Sequence, residues 1–255
     1  MLQGLYQSGS SMLARTTRMD VITNNIANSD VPGFKRDGIF LKELGEARRK
    51  ASGGYPVWRE NRVGGTYIDF DQGVLRQTNS RTHVALHGPG FFHIRTPQGD
   101  LYTRNGEFSL NRDGALVTNL GYPVLDDRGG EIRLEGTDFS LNEDGQILVD
   151  GEEVATLGIH DFEKDADGYY QDPDGLTRLE RKENGFFAPK RGVNRQPMTS
   201  ATKVLQGFLE NSNAEPIVQM VERVELFRTY EVDQRAIRAQ DETLSRAVNE
   251  VGTVR

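Results

Sequence analysis

A long uninterrupted stretch near the C-terminus is the feature that most constrains the fold. Residues 217–251 contain neither glycine nor proline, and apolar residues recur there at spacings of three and four. This periodicity is typical of one face of an α-helix, and a helix of that length would span roughly 50 Å. A globular domain of this size rarely needs so long a helix, so the pattern predicts a coiled coil or a helical tube.

The apolar positions of this stretch define a predicted assembly seam. Its members are Ile217, Met220, Val221, Val224, Phe227, Tyr230, Ile237, Leu244, Val248 and Val251. Gln234 and Asp241 interrupt it. Ser212 and Glu215 have the spacing of a capping box, and Pro216 then falls in the first turn, where its missing N–H costs little.

The N-terminal residues carry a second, narrower apolar stripe. Leu5, Met12, Met19 and Ile26 are seven residues apart, and Leu2 and Ile22 add to the same side. The residues between them are mostly polar, which resembles a coiled-coil seam more than a buried globular helix. Because Pro32 disfavours helix at Val31 and Gly33 follows, the helix is predicted to end near Asn28.

The middle of the chain has the signals of an antiparallel β domain. Short runs of β-forming residues, such as Phe91-Phe92-His93-Ile94, alternate with Asp-Gly and Asn-Gly pairs that favour tight hairpin turns. Among these pairs are those at residues 105–106, 113–114, 144–145, 167–168, 174–175 and 184–185. Residues 163–195 are polar and are predicted to be rich in loops and exposed.

These patterns together predict an α+β fold with paired, coiled-coil-like terminal helices and a central antiparallel β domain. Residues 1–30 and 212–255 form the predicted terminal helical domain. Residues 31–65 form an extended linker, in which Phe40 and Leu41 have strand character, and residues 66–211 form the β domain. Narrow seams bury little surface in one chain, so both termini are predicted to be weakly ordered until assembly. The alternative is a self-contained helical hairpin that packs on the sheet.

Composition narrows the function classes. The formal charge of −7 argues against a nucleic-acid partner, and no apolar run approaches the length of a membrane helix. The absence of cysteine excludes a thiol nucleophile and a zinc–thiolate site. Residues 1–8 have no basic region followed by an apolar one, so we expect export, if it occurs, without a cleaved signal peptide.

The sequence gives little support for a catalytic or metal site. His83 and His87 share one face of a predicted strand, but a metal site needs further ligands. The carboxylates Asp126, Asp127, Asp172 and Asp174 lie in turn contexts, and neither a phosphate-binding loop nor a nucleophile elbow is present. We therefore predict no catalytic residue, cofactor or metal, so the protein is expected not to be an enzyme. A hydrolase whose carboxylates converge only in three dimensions is left as an alternative.

Three separated segments resemble a known family. The first is residues 20–36, which contain Asn24-Asn25-Ile26-Ala27-Asn28 and then Gly33-Phe34-Lys35. The second begins at Gly90-Phe91-Phe92 and contains Tyr102-Thr103-Arg104-Asn105-Gly106, Asp113-Gly114-Ala115-Leu116 and residues 121–125. The third is residues 207–213. In this order they are similar to the bacterial flagellar rod and hook proteins.

The resemblance implies a structural subunit that stacks helically, with terminal helices forming an inner tube and β domains outside. It implies export through the flagellum's own secretion channel, a place in the periplasmic rod and transmission of torque from motor to hook. The implied partners are copies of itself, other rod proteins, the hook and the export apparatus, and no cofactor is implied. The chain length favours a rod subunit over a hook subunit, and residues 102–108 and 121–125 favour a proximal over a distal rod position.

Individual residues of the family motif also have a physical interpretation. Asn28, Gly33 and Phe34 mark the place where the helix ends and the chain turns outward, with Phe34 fixing the turn. Tyr102, Thr103 and Arg104 form a predicted strand that leads into the turn at Gly106, with a role in hairpin packing. The motif residues Asn24, Asn25 and Ala27 belong to the helix end.

A second functional hypothesis belongs to another class. A secreted β-rich binding module with helical oligomerisation arms would have the same pattern of helices and strands. Its distinguishing feature would be a concave aromatic patch on the β domain, for example around Tyr169 and Tyr170.

Overall fold

The computed structural model describes residues 2–43, 61–134, 139–163, 170, 178–190 and 192–251. The chain forms two compact units, one built from Met1–Ala27, Asp37–Tyr67 and Glu215–Arg255, the other from Asn28–Arg36 and Ile68–Ala214. Helices occupy the two ends of the chain and antiparallel strands lie between them. The predicted α+β class is therefore confirmed.

The first unit contains the two long helices, α1 (Leu2–Ala27) and α2 (Pro216–Val251). They pack against one another, and their contacts run antiparallel, since residues further along α1 meet residues nearer the start of α2. Neither helix, over its described residues, has the apolar length that a membrane crossing requires. Helix α1 ends at Ala27, one residue before the predicted position.

The predicted extended linker contains strand β1 (Asp37–Glu43) and the first part of strand β2 (Asn61–Ile68). The two strands pair in a two-stranded sheet. The strand character predicted at Phe40 and Leu41 falls inside β1. Residues 44–60, which connect the strands, lie outside the described part of the chain.

Helix α2 does not begin with the predicted capping box. The hydroxyl of Ser212 accepts the N–H of Ala214 at 3.1 Å, within a turn that precedes the helix. The carbonyl of Glu215 accepts the N–H of Gln219 at 3.0 Å, the first helical bond. Pro216 occupies the first helical position and lacks an N–H. The helix therefore begins with one fewer backbone N–H group that needs a hydrogen-bond acceptor.

The second unit is built from short strands. They are β3 (Leu75–Gln77), β4 (Val84–His87), β5 (Phe91–Thr96), β6 (Gly99–Thr103), β7 (Phe108–Leu110), β8 (Leu116–Thr118), β9 (Phe139–Leu141), β10 (Gln146–Val149), β11 (Glu152–Thr156), β12 (Ile159–Phe162), β13 (Leu179–Arg181), β14 (Phe187–Pro189), β15 (Arg195–Pro197), β16 (Lys203–Gln206) and β17 (Phe208–Glu210). A single 3₁₀ turn, Glu183–Gly185, connects β13 to β14.

The strands of this unit pair antiparallel in several sheets. The largest has the order β13-β14-β6-β5-β12-β15, and a three-stranded sheet has the order β11-β10-β9. The pairs β16-β4, β17-β3 and β7-β8 complete the described sheets. In β17-β3, Glu210 is opposite Leu75, which places the last strand before α2 beside the first strand of this unit.

Three of the predicted hairpin turns are confirmed. Residues 113–114 connect β7 to β8, residues 144–145 connect β9 to β10, and residues 184–185 connect β13 to β14. The pair Asn105–Gly106 is not a hairpin turn, because β6 pairs with β5 and β14 whereas β7 pairs with β8. The predicted turns at 167–168 and 174–175 lie outside the described residues.

Two of these hairpins share a sequence motif and a pattern of hydrogen bonds. Both begin Phe-Ser-Leu-Asn-x-Asp-Gly, at residues 108–114 and 139–145. In the first, Asn111 Oδ1 accepts two backbone N–H groups at 2.9 and 2.8 Å, two and four residues on. In the second, Asn142 Oδ1 does the same at 3.2 and 2.8 Å. The shared asparagine therefore closes both turns in the same way.

Two apolar clusters hold the second unit together. The larger includes Val84, Phe92, Phe108, Leu116 and Ile147. The smaller is aromatic and consists of Phe91, Tyr102, Phe162, Tyr170, Leu179 and Phe187. Each combines side chains from strands that are distant in sequence, so neither exists until the sheets have formed.

The aromatic cluster corrects two expectations from the sequence. Tyr170 is buried and its hydroxyl donates a hydrogen bond to Asp161, so it is a core residue and not part of an exposed aromatic patch. Tyr169 lies outside the described residues. The segment 163–195 supplies strands β13 and β14 and the buried Leu179 and Phe187, so it is not only an exposed loop.

Candidate assembly site

The chain turns sharply at Val31–Phe34, after the first helix. The N–H of Phe34 donates to the carbonyl of Val31 at 3.2 Å, with Pro32 and Gly33 at the centre of the turn. Gly33 has φ +70°, as the third position of a type II turn requires. A Cβ atom at Gly33 would lie 2.4 Å from the carbonyl carbon of Arg104, so the turn packs directly on the backbone at the end of β6.

Phe34 is buried and lies under a cation. The guanidinium carbon of Arg181 is 4.6 Å from the centre of the Phe34 ring, a distance at which the ring attracts the cation. Arg181 also donates a hydrogen bond to the carbonyl of Lys35. The side chain predicted to fix the turn is therefore covered by Arg181, the last residue of strand β13.

A buried ionic cluster follows the turn. Lys35 Nζ is 2.6 Å from Glu210 Oε1, and Arg104 Nε is 2.7 Å from Glu210 Oε2. Lys35 and Glu210 side chains are each 1% exposed. Lys35 also donates to the carbonyl of Asp71 at 2.7 Å, and Glu210 Oε1 accepts the N–H of Gly73 at 2.9 Å. One carboxylate therefore joins three separate segments of the second unit.

The electrostatics of the cluster favour an ionised Glu210. Burial acts to raise the pKa of this carboxyl, but the charges of Arg104 and Lys35, together with the hydrogen bonds from Lys35 and the Gly73 N–H, hold its pKa below the ordinary value. Burial lowers the pKa of Lys35, and Glu210 opposes that effect. A buried carboxylate with charged hydrogen-bond donors on both oxygens is fully satisfied.

The predicted strand Tyr102-Thr103-Arg104 ends in this cluster. Tyr102 lies in β6 and stacks on the His93 ring at 5.1 Å between centroids. Thr103 Oγ1 accepts the N–H of Asn105 at 3.1 Å. Arg104 donates further hydrogen bonds to the carbonyls of Gly88 and Gly90. The carbonyl of Gly106 accepts the N–H of Val84 at 3.0 Å. These residues hold the second unit together, and sequence reasoning missed the ionic role of Arg104.

The helix pair in the first unit has a partly polar inner face. Ile22 of α1 and Leu226 of α2 are buried, and so are Asn25 and Gln219, whose side chains hydrogen-bond. Further along, Arg15 pairs with Asp233 at 2.7 Å. A heptad in α2 that reads Gln219, Leu226, Asp233 and Gln240 could have indicated this face.

The opposite face of α2 is apolar and exposed. The exposed large hydrophobic residues of α2 are Ile217, Val218, Met220, Val221, Val224, Phe227 and Val232. Ile217, Met220, Val221, Val224 and Phe227 share the face turned away from α1. Ile217 is 77% exposed and Val224 51%. Beyond Phe227 this face becomes charged and carries the Glu231–Arg235 pair, with 3.9 Å between its charged atoms. We call Ile217, Met220, Val221, Val224 and Phe227 the outer stripe.

The predicted seam thus divides between two faces of α2. Ile217, Met220, Val224 and Phe227 belong to the outer stripe, whereas Tyr230, Ile237 and Leu244 are half-buried. In α1, Ile22 is buried, and Met12, Met19 and Ile26 are half-buried. The side chains of Leu5 and Val248 lie outside the described part. The motif residues also differ in exposure: Asn24 and Ala27 are exposed, Asn25 is buried and Asn28 is half-buried.

Family comparisons cover both ends and the middle of the chain. Residues 5–35 match the family described as flagella basal body rod protein. Residues 85–149 match the flagellar hook protein FlgE/F/G D1 domain, and residues 205–250 match the flagellar basal body rod FlgEFG protein C-terminal family. The first match contains most of α1 and the turn that follows it, and the third contains most of α2.

Whole-chain relatives agree with these matches. The flagellar basal-body rod protein FlgG of Bacillus subtilis (strain 168) is 32% identical, over 98% of this chain and 99% of the relative. The flagellar basal-body rod protein FlgF of Rhizobium meliloti (strain 1021) is 30% identical, over 99% of both chains. FlgF of Caulobacter vibrioides is 28% identical over 98% of both.

This chain belongs to the flagellar basal-body rod protein family. Its relatives are structural proteins of the basal body, so the chain is a structural subunit of the rod and not an enzyme. The resemblance noted in the sequence is thereby confirmed at the family level. Among the residues that the structure describes, no three His, Asp or Glu side chains are grouped as metal ligands.

Proposed function

We propose that this rod protein assembles into a helical shaft through its terminal helices, and that the outer stripe of α2 is the surface that contacts neighbouring subunits. The shaft would cross the periplasm, be assembled by the flagellar export apparatus and transmit torque to the hook. The single observation that carries the proposal is the exposure of the outer stripe, on a helix whose opposite face is already covered by α1.

The chemistry of the stripe supports a protein partner. Large apolar side chains at Ile217, Met220, Val224 and Phe227 repeat every three or four residues along one helix face. A contiguous exposed apolar patch of this kind marks an interaction site in soluble proteins. An amphipathic helix is recognised through such spacing when its apolar face enters a groove or meets another helix.

A matched pair of substitutions tests the proposal. Val224 and Val154 are both 51% exposed, but Val224 lies in the outer stripe and Val154 in strand β11 of the other unit. Val224→Lys is expected to abolish polymerisation of the purified full-length protein in light scattering and to abolish swimming in cells. Val154→Lys should leave both unchanged. Normal polymerisation of Val224→Lys, with wild-type helix content by circular dichroism, would exclude the stripe as the assembly surface.

We further propose the proximal position in the rod. The segments 102–108 and 121–125 support this assignment, and FlgF relatives of three organisms are 27–30% identical over nearly the whole chain. The FlgG relative at 32% identity favours the distal position. Complementation decides between them: the chain should restore swimming to a strain that lacks FlgF and not to one that lacks FlgG, and the reverse result would assign the distal position.

The rival binding module receives less support. Its expected aromatic patch included Tyr170, which is a buried member of the aromatic cluster. We therefore retain the structural subunit as the function of this chain.

A further inference from the structure

The side chain of Asn25 joins three segments of the first unit. Its Nδ2 group donates to the carbonyl of Asp37 at 2.9 Å and to Gln219 Oε1 at 3.3 Å, and its Oδ1 accepts the N–H of Asp37 at 2.8 Å. Both Asn25 and Gln219 are buried. The amide therefore connects the end of α1, the start of β1 and the first turn of α2.

We propose that Asn25 is a positioning residue that sets the axial register of α1 against α2 and the place where the chain returns into β1. A buried polar residue at a coiled-coil position specifies one register, because other registers leave it unpaired. The inference deepens the proposed function and rests on it, since the register sets the position of the outer stripe along α1.

The apolar contacts of the helix pair do not select a register by themselves. If α2 slipped by one heptad, Asn25 would face Leu226 in place of Gln219, and Leu226 is already an inner-face residue. The slip keeps apolar side chains on the inner face but removes the amide acceptor. Asn25 contacts Gln219, and Ser11 Oγ lies 3.0 Å from Asp233 Oδ2. These two polar contacts are satisfied together only in the observed register.

Disulfide trapping measures the register directly, because the chain has no cysteine of its own. The pair Ser11→Cys with Asp233→Cys reports the observed register. The pair Ser11→Cys with Gln240→Cys reports the slipped one, since residue 240 lies about 10 Å further along the helix, beyond the roughly 7 Å limit between the Cα atoms of a disulfide. Oxidation is followed in dilute full-length protein, so that the bond forms within one chain.

In the otherwise unchanged protein, the native pair should close at least about tenfold faster than the slipped pair. Asn25→Leu should reduce this preference by about fivefold, as loss of the amide hydrogen bonds implies. Gln219→Leu should also reduce the preference for the native pair. Asn24→Leu changes the exposed neighbouring asparagine and should keep the full preference.

Two outcomes would overturn the inference. One is equal closure of both pairs in the otherwise unchanged protein. The other is an unaltered preference in Asn25→Leu with helix content retained by circular dichroism; if Asn25→Leu unfolds, an unaltered preference in Gln219→Leu has the same meaning. The trapping requires no polymer, so a failure of Val224→Lys to block assembly bears on the outer stripe and leaves the result on Asn25 standing.

Discussion

Arg104 donates its Nε–H to Glu210 Oε2 at 2.7 Å, and both side chains are buried where β6 ends and β17 meets the following loop. Arg104 and Glu210 are 106 residues apart in sequence. With Lys35 on the other carboxylate oxygen, the pair connects the turn after α1 to the segment before α2. The cluster thus holds together, within the second unit, the segments adjacent to both helices.

Removing the carboxylate should destabilise this unit strongly. Glu210→Ala leaves two buried cations without a counter-charge, and breaking a buried ion pair in this way costs about 3–5 kcal/mol. Urea unfolding followed by the fluorescence of the tyrosines and tryptophan measures the loss. Glu143→Ala is the control, because its contact with Lys203 is also 2.6 Å but exposed; its unfolding midpoint should match the wild type. Equal effects of the two variants would contradict the role of the cluster.

The turn at Gly33 should tolerate no side chain. Gly33→Ala combines a left-handed backbone, which costs an alanine about 1–2 kcal/mol, with a Cβ position 2.4 Å from the Arg104 backbone. Gly121→Ala is matched for backbone conformation, with φ +82°, but has no atom within 4 Å of the added Cβ. Thermal unfolding should therefore show a distinctly larger decrease in Tm for Gly33→Ala. Similar decreases would mean that the turn can move away from β6.

Acid should destabilise the second unit through His160. The pKa of His160 is lowered from 6.5 to about 4. Burial is the main cause and the charges of His93 and Arg195 act in the same direction, while the carbonyl of Gln196 and the charge of Asp127 oppose the shift. Since the folded state binds the proton less readily than the unfolded state, the free energy of unfolding should fall as the pH decreases from about 6.5 to about 4.

Replacement of the histidine tests this assignment. His160→Gln should make the free energy of unfolding less dependent on pH in that interval, measured by urea titrations at several pH values. His87→Gln alters an exposed histidine at the end of β4 and should follow the wild-type curve. A His160→Gln curve parallel to the wild type would assign the acid sensitivity to other groups.

The terminal helices should become protease-resistant on assembly. The outer stripe of α2 is exposed in the single chain, and a long helix with one covered face gains stability when neighbours cover the other. Limited proteolysis of full-length monomer should cut within residues 1–30 and 212–255 before the β domain, whereas polymer should resist at these sites. Termini that resist equally in monomer and polymer would indicate a self-contained helical hairpin.

The sequence was sufficient to place the helices and several turns. A glycine- and proline-free stretch with apolar spacings of three and four predicted α2, and Pro32 with Gly33 predicted the end of α1 to within one residue. Asp113–Gly114, Asp144–Gly145 and Asn184–Gly185 predicted true hairpins. These features depend on neighbours within a few residues, which the sequence displays directly.

The faces of α2 could not be assigned in the same way. Positions spaced three residues apart fall short of one 3.6-residue turn, so a seam that uses this spacing repeatedly moves around the helix. The predicted seam accordingly passes from the outer stripe at Val224 to the inner face at Ile237. Only the position of α1 shows which face of α2 is already covered. The contacts between the two helices join residues 194 and 222 positions apart in sequence, which no local pattern displays.

By itself, the sequence determined the α+β class, the extents of the terminal helices and membership of the rod family, because periodicity, turn chemistry and motifs are local or linear. Tertiary structure alone decided that Asn25 meets Gln219 and that Lys35 and Arg104 share Glu210. The same types of side chain are usually solvated at the surface. Their burial, and hence their energetic importance, arises only when strand and helix pairing brings distant segments together and excludes water.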